Sequence, residues 1–149
     1  MATRSRIGIE NPDGTVTSIY CHFDGYPNGV GKTLYIHYVD RSKVEDLISV
    51  GNISYLEAEV MPPANKKHSF NEPLPGYTVA YHRDRGEEFS QRLHPSTSEF
   101  LQIPKAVGAR VDFVYLYTQS GEWYVSKNIQ SISIDARKVT IQLLENAIN

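Results

Sequence analysis

The chain has 149 residues, 40% of them hydrophobic and 21% charged, which is the usage of one globular domain with enough chain for a single core. A net charge of -2 withholds the basic surplus that extended nucleic acid demands, and a single cysteine, Cys21, excludes an internal disulfide and a cysteine-rich zinc module. No apolar run approaches the roughly 20 residues of a membrane span, and the opening Met-Ala-Thr-Arg-Ser-Arg is not a signal peptide, so a cytoplasmic protein with no membrane partner is expected.

Arg4 to Glu10 and Thr15 to Phe23 flank Asn11-Pro12-Asp13-Gly14, where proline sets φ and Asp-Gly tolerates φ > 0; this predicts an N-terminal β-hairpin. Asp24 to Gly29 reads as a loop. Val30, Leu34, His37 and Tyr38 then recur at helical spacing, and Asp40 is placed to cap a second helix carrying Val44, Leu47 and Ile48, with Gly51-Asn52 as its stop. Glu57 to Pro75 is a long proline-rich loop, of the kind that is functional or mobile. Tyr77 to Tyr81 is a candidate strand running into the charged loop His82 to Glu88.

Ser96-Thr97-Ser98-Glu99 is a capping box opening a short helix that Pro104 ends or kinks. Val111 to Thr118 alternates as a strand, and Gln119 to Glu122 turns it into Trp123-Tyr124-Val125. Val139, Leu143, Leu144, Ala147 and Ile148 predict a terminal helix; the alternative is a hairpin around Asp135 to Lys138. The expected fold is a single α+β domain over residues 1–149, a mostly antiparallel sheet with the hairpin and three to four short helices. Ten tyrosines against one tryptophan suit half-buried strands or a recognition surface.

Gly31-Lys32-Thr33 ends like a P-loop, but that motif needs glycine where Tyr26 stands, so the Walker chemistry is not expected. A glycine-rich start with Lys32 in the first turn still makes an anion site. His82-Arg83-Asp84 matches a kinase triplet by coincidence, since the chain has no room for the other kinase elements. Cys21 and His22 are adjacent on a strand and point to opposite faces, so they are not a nucleophile and its base. The five histidines lack metal-helix spacing; no metal, cofactor or catalytic residue is expected. Arg83 and Arg85, at alternate positions beside Asp84 and Glu87, are the densest charge cluster and can grip a phosphate or carboxylate.

Ile19-Tyr20-Cys21-His22-Phe23-Asp24-Gly25-Tyr26-Pro27, taken with Arg83-Asp84-Arg85-Gly86-Glu87, resembles a family of small proteins encoded by tailed phages. Phe23 stands where that family more often has tryptophan. The Arg-Ile-Gly-Ile opening and the helix ending in His37-Tyr38 are also similar, and the match is poor beyond the arginine cluster. The resemblance implies an accessory protein acting in the host cytoplasm to blunt host immunity.

The residues add a chemistry to that context: sequestration of a small anionic ligand of nucleotide type. The candidate ligand-binding residues are Phe23, Asp24, Tyr26, Lys32, Arg83, Asp84, Arg85 and Glu87, with the two segments expected to meet at one rim. Two alternatives stand beside it: an inhibitor that binds a host defence protein through a surface patch, and a small hydrolase or nuclease using His22, Asp24, His82, Asp84 and Glu87. A homo-oligomer is compatible with each.

Overall fold

The hairpin forms because the turn chemistry is right. Gly14 adopts φ +87°, the left-handed region a side chain resists, and its amide donates to the Asn11 carbonyl at 2.9 Å. Strands β1 (Ser5–Glu10) and β2 (Val16–Cys21) then pair antiparallel from Glu10↔Val16 to Ser5↔Cys21. The computed structural model describes residues 2–106, 108, 110–127 and 142–143.

After β2 a π-helical turn (Pro27–Gly31) leads into α1 (Lys32–His37), and α2 (Arg41–Ser49) follows. Asp40 sits at the N-cap of α2, but its side chain makes no capping hydrogen bond. These helices cross one face of the sheet and deliver β3 (Ile53–Tyr55) parallel to β2. Strand β4 (Val79–Ala80) is only two residues long, because the expected strand over Tyr77 to Tyr81 yields to a helix: Tyr81–Arg85 forms α3. The charged stretch is therefore helical up to Arg85 where a loop was expected. Unforeseen in the sequence, β5 (Arg92–His94) pairs antiparallel with the first half of β2.

The capping box works as its residues predict, since Ser96 Oγ accepts from the Glu99 amide at 3.1 Å to open α4 (Thr97–Leu101). Pro104 lies in the single 3-10 turn that follows, Ile103–Lys105. Strand β6 (Phe113–Tyr117) pairs parallel with β1, and β7 (Trp123–Lys127) antiparallel with β6. Gln142–Leu143 forms β8 against β7, which overturns the terminal helix at those two positions; the rest of that expectation lies outside the described residues. The order is β4-β3-β2-β1-β6-β7-β8, with β5 beside β3 on the outer edge of β2. The α+β class holds, and the sheet is mostly but not wholly antiparallel.

Period two then decides the faces. Ile7, Ile9, Ile19, Cys21, Tyr115, Tyr117, Trp123 and Val125 face α1 and α2, whose Leu34, Val44, Leu47 and Ile48 complete the main core. Full burial of each such aliphatic side chain contributes about 1.5–3 kcal/mol. On the opposite face Val16, Val114 and Leu116 meet Phe100 and Leu101 of α4. Gly8 is part of this packing: a Cβ there would lie 2.8 Å from the Phe100 ring and 2.7 Å from Val16.

Three of the ten tyrosines are core residues. Tyr115, Tyr117 and Tyr38 bury their rings in the main core and donate their hydroxyls to the carbonyls of Gly25, Val39 and Glu57 at 2.7, 2.8 and 2.7 Å. Rings supply apolar area while hydroxyls satisfy loop carbonyls that would otherwise be buried without a donor. Among the described residues no helix is long and apolar enough to cross a membrane.

Candidate functional site

The two expected segments are positioned by different elements. Phe23 and Tyr26 are exposed beyond the end of β2, and Asp24 takes φ 58°, a left-handed conformation that aspartate tolerates better than most side chains. Asp24 accepts from the Val30 amide through its carbonyl at 2.8 Å, so it closes the π turn. Lys32 is exposed at the start of α1. No hydrogen bond, ion pair or ring contact among the described residues joins these positions to Arg83, Asp84, Arg85 or Glu87.

The cluster on α3 turns its charges inward. Arg83 donates Nε to Asp84 Oδ1 at 2.8 Å, Nη2 to Asp84 Oδ2 at 3.0 Å and to the Thr78 carbonyl at 2.8 Å, and Nη1 to the Val60 carbonyl at 2.6 Å. The Asp84 side chain, 3% exposed, also accepts from the Ala80 amide at 2.7 Å and His68 Nε2 at 3.2 Å. Burial works to raise the Asp84 pKa, but the Arg83 and Ala80 hydrogen bonds and the Arg83 charge outweigh it, and the carboxyl sits below its ordinary value. His68 in turn accepts the Leu74 amide at Nδ1, 2.9 Å away. This network staples the long loop onto β4 and α3.

Arg85 pairs with Glu87 and lies 4.0 Å over the Phe70 ring, which stacks on Tyr81. His82 Nδ1 bonds the Glu87 carbonyl at 2.7 Å. His22 and Asp24 make no hydrogen bond or ion pair with His82, Asp84 or Glu87 among the described residues. No group of three or more histidine, cysteine or acidic side chains among the described residues is arranged to hold a metal ion. Cys21 is fully buried, and burial pushes its thiol up to about 12, so it stays protonated.

A second constellation escapes motif reading. Register places Arg6 opposite Tyr20, and Ser18 opposite Arg92, so the even positions of β1, β2 and β5 share the sheet face that α4 only half covers. Arg6, Ser18, Tyr20, Arg92 and His94 thus lie together, and just beyond the strand ends the Arg4 charge acts on Tyr20 and His22 bonds to it. Arg6 is only 9% exposed, yet its partners are neutral: Nε donates to Ser18 Oγ at 2.8 Å and Nη2 to the Ser18 carbonyl at 3.2 Å. Burial first, and the Arg92 charge second, lower the Arg6 guanidinium from 12.5 to about 10.

His94 Nε2 sits 2.6 Å from Ser18 Oγ. Ser18 Oγ also accepts from Arg6, and its second lone pair or its own proton serves the imidazole according to the His94 tautomer, so the bond forms with a neutral ring in either case. Desolvation, then Arg6 and Arg92, hold its pKa at about 4. The chain His94–Ser18–Arg6 therefore orients the guanidinium. Arg4 Nε is buried without a hydrogen-bond partner among the described residues, and the Arg92 side chain forms no hydrogen bond there. No carboxylate ion-pairs with any of the three arginines among the described residues. Asp112, at the rim, spends Oδ2 on the Arg4 backbone amide at 3.3 Å.

Toward the Phe23 end, the Tyr20 hydroxyl and His22 Nδ1 are 2.8 Å apart, and the His22 ring meets Phe23 edge-on at 4.5 Å. The face therefore grades from arginines to an exposed aromatic. Arg-x-Arg on a predicted strand beside Tyr-x-His on its hairpin partner was the available signal; the third strand, with Arg92, had none. Compared with known proteins, the chain matches no family model, no curated protein and no solved structure.

Proposed function

We propose that the protein sequesters a small phosphate-bearing ligand of nucleotide type, without chemical turnover, on the sheet face of Arg4, Arg6 and Arg92. The observation that carries this reading is the buried Arg6, held by neutral partners, next to two further arginines and no paired carboxylate. Buried charges are ordinarily paired, and like charges brought together cost stability that an anion returns. An arginine–phosphate hydrogen bond contributes about 1.5–3 kcal/mol, and a base stacked on an aromatic about 1–3 kcal/mol.

Phe23, with His22 behind it, offers the flat surface for a base, which keeps one of the residues expected from sequence in the site. The π turn and the left-handed Asp24 beside Phe23 add support, because such irregularities gather at functional positions. Arg83 and Asp84 hold the fold in this reading. The family resemblance supplies the setting: an accessory phage protein that works in the host cytoplasm and counters host immunity by withdrawing the ligand.

The test is incubation with a nucleotide panel, removal of free ligand, and heating. The protein should melt later with its ligand, and the ligand should return intact. Return of a cleaved product would replace sequestration by catalysis, and no retained ligand from the panel would remove the nucleotide reading.

A further inference from the structure

The charge on the arginine face is countable. Arg4, Arg6 and Arg92 contribute three guanidinium groups, His94 is the neutral partner of Ser18, and Asp112 at the rim returns one negative charge, while Glu10 lies at the far end of β1 and accepts from the Gln119 amide. Tyr20 and His22 bond to one another and add hydrogen-bonding capacity. The described side chains therefore present an excess of about two positive charges, which is matched by a dianion and left half-matched by a monoanion.

Donor supply points the same way. Arg6 retains Nη1 after its two bonds to Ser18, Arg92 has its whole fork, and Arg4 has a buried Nε without a partner among the described residues. A phosphomonoester carries about -1.5 to -2 charge at pH 7 and three acceptor oxygens. A diester carries a single charge and two unbridged oxygens, so it leaves arginine donors unsatisfied, the partly buried ones of Arg4 and Arg6 above all.

We infer that the ligand offers these arginines a terminal phosphate, as a monoester or its diphosphate, and that a cyclic or chain-internal diester is disfavoured. This rests on the nucleotide reading above and names its class. Arg6 is the positioned donor, with Ser18 and His94 as positioning residues, while Arg4 and Arg92 close on the phosphate from either side.

The experiment is isothermal titration calorimetry of the full chain at fixed ionic strength. The probes are the common nucleoside 5′-monophosphates, their 3′,5′-cyclic counterparts, ribose 5-phosphate and inorganic phosphate. At least one linear monophosphate should bind about tenfold or more tightly than its cyclic form. Arg92→Gln, with an unchanged circular dichroism spectrum, should narrow that ratio. A cyclic nucleotide binding as well as the linear one would overturn the terminal-phosphate assignment and leave anion binding standing. Ribose 5-phosphate or inorganic phosphate matching the nucleotides would uphold the assignment and overturn the nucleotide reading. No binding by any probe would overturn both.

Discussion

Two arginine clusters lie on either side of β3, and their electrostatics are opposite. At α3 every Arg83 nitrogen is spent on Asp84 or on loop carbonyls, and Arg85 is paired with Glu87 and stacked on Phe70. On β1 and β5, and at Arg4 just before β1, the arginines lie among serine, tyrosine and histidine, and the Arg92 charge acts on Arg6. The first cluster is complete as it stands, and its charges hold a long loop. The second is electrostatically incomplete among the described residues, which is the condition expected of a surface that receives an anion. Charge density in the sequence points to the first cluster; charge compensation in space points to the second.

The sharpest way to break the contrast is through Asp84. Asp84→Asn removes a buried carboxylate that serves Arg83, His68 and the Ala80 amide, and should cost about 3 kcal/mol by urea unfolding. Nucleotide binding at a temperature where the variant stays folded should be unchanged. A loss of binding without a loss of stability would reverse the roles given to the two clusters.

His94 gives the next largest effect. Its folded pKa is about 4 against an ordinary 6.5, so in acid the unfolded chain takes up a proton that the folded protein refuses. Stability should therefore fall as the pH drops from 6.5 toward 4, by about 2–3 kcal/mol, and be unaffected by this group above 6.5. Unfolding curves for the wild type and His94→Gln should diverge in that window alone. Parallel curves would remove the neutral imidazole held against Ser18.

The face also depends on hairpin register, since a one-residue slip would turn Arg4 and Arg6 to the helical side. Gly14→Val forces a side chain onto φ +87° and should cost about 1 kcal/mol or more. An unchanged melting temperature would count against the strain assigned to this turn. Smallest is Arg92→Gln: it removes an exposed like charge near Arg6, so unliganded stability should rise or stay within about 0.5 kcal/mol. Ligand protection should fall nonetheless. Stability and binding moving down together would make Arg92 a structural residue.

Much of the fold was legible because the signals were local. Pro12-Asp13-Gly14, the Ser96 capping box and the Val44, Leu47, Ile48 spacing each act within a few residues. Strand β5 was not, because Arg92-Leu93-His94 has no alternation of apolar residues and exists by pairing with distant Ser18 and Val16. Tyr81–Arg85 likewise forms a helix in which Arg83 reaches the carbonyls of Val60 and Thr78, a tertiary gain invisible to propensity. The candidate site was legible only in part: Phe23 was among the expected residues, but the charge cluster on view was Arg83 and Arg85, and the gathering of Arg4, Arg6 and Arg92 without a counter-charge is a property of the assembled sheet.

The most direct measurement compares ligand-induced melting shifts in two double variants, each against its own unliganded protein. With a saturating nucleoside 5′-monophosphate that protects the wild type, Arg4→Gln combined with Arg92→Gln should abolish the shift. Arg83→Gln combined with Arg85→Gln should melt earlier yet keep the shift. A shift retained in the first variant and lost in the second would contradict the account and return the ligand to α3.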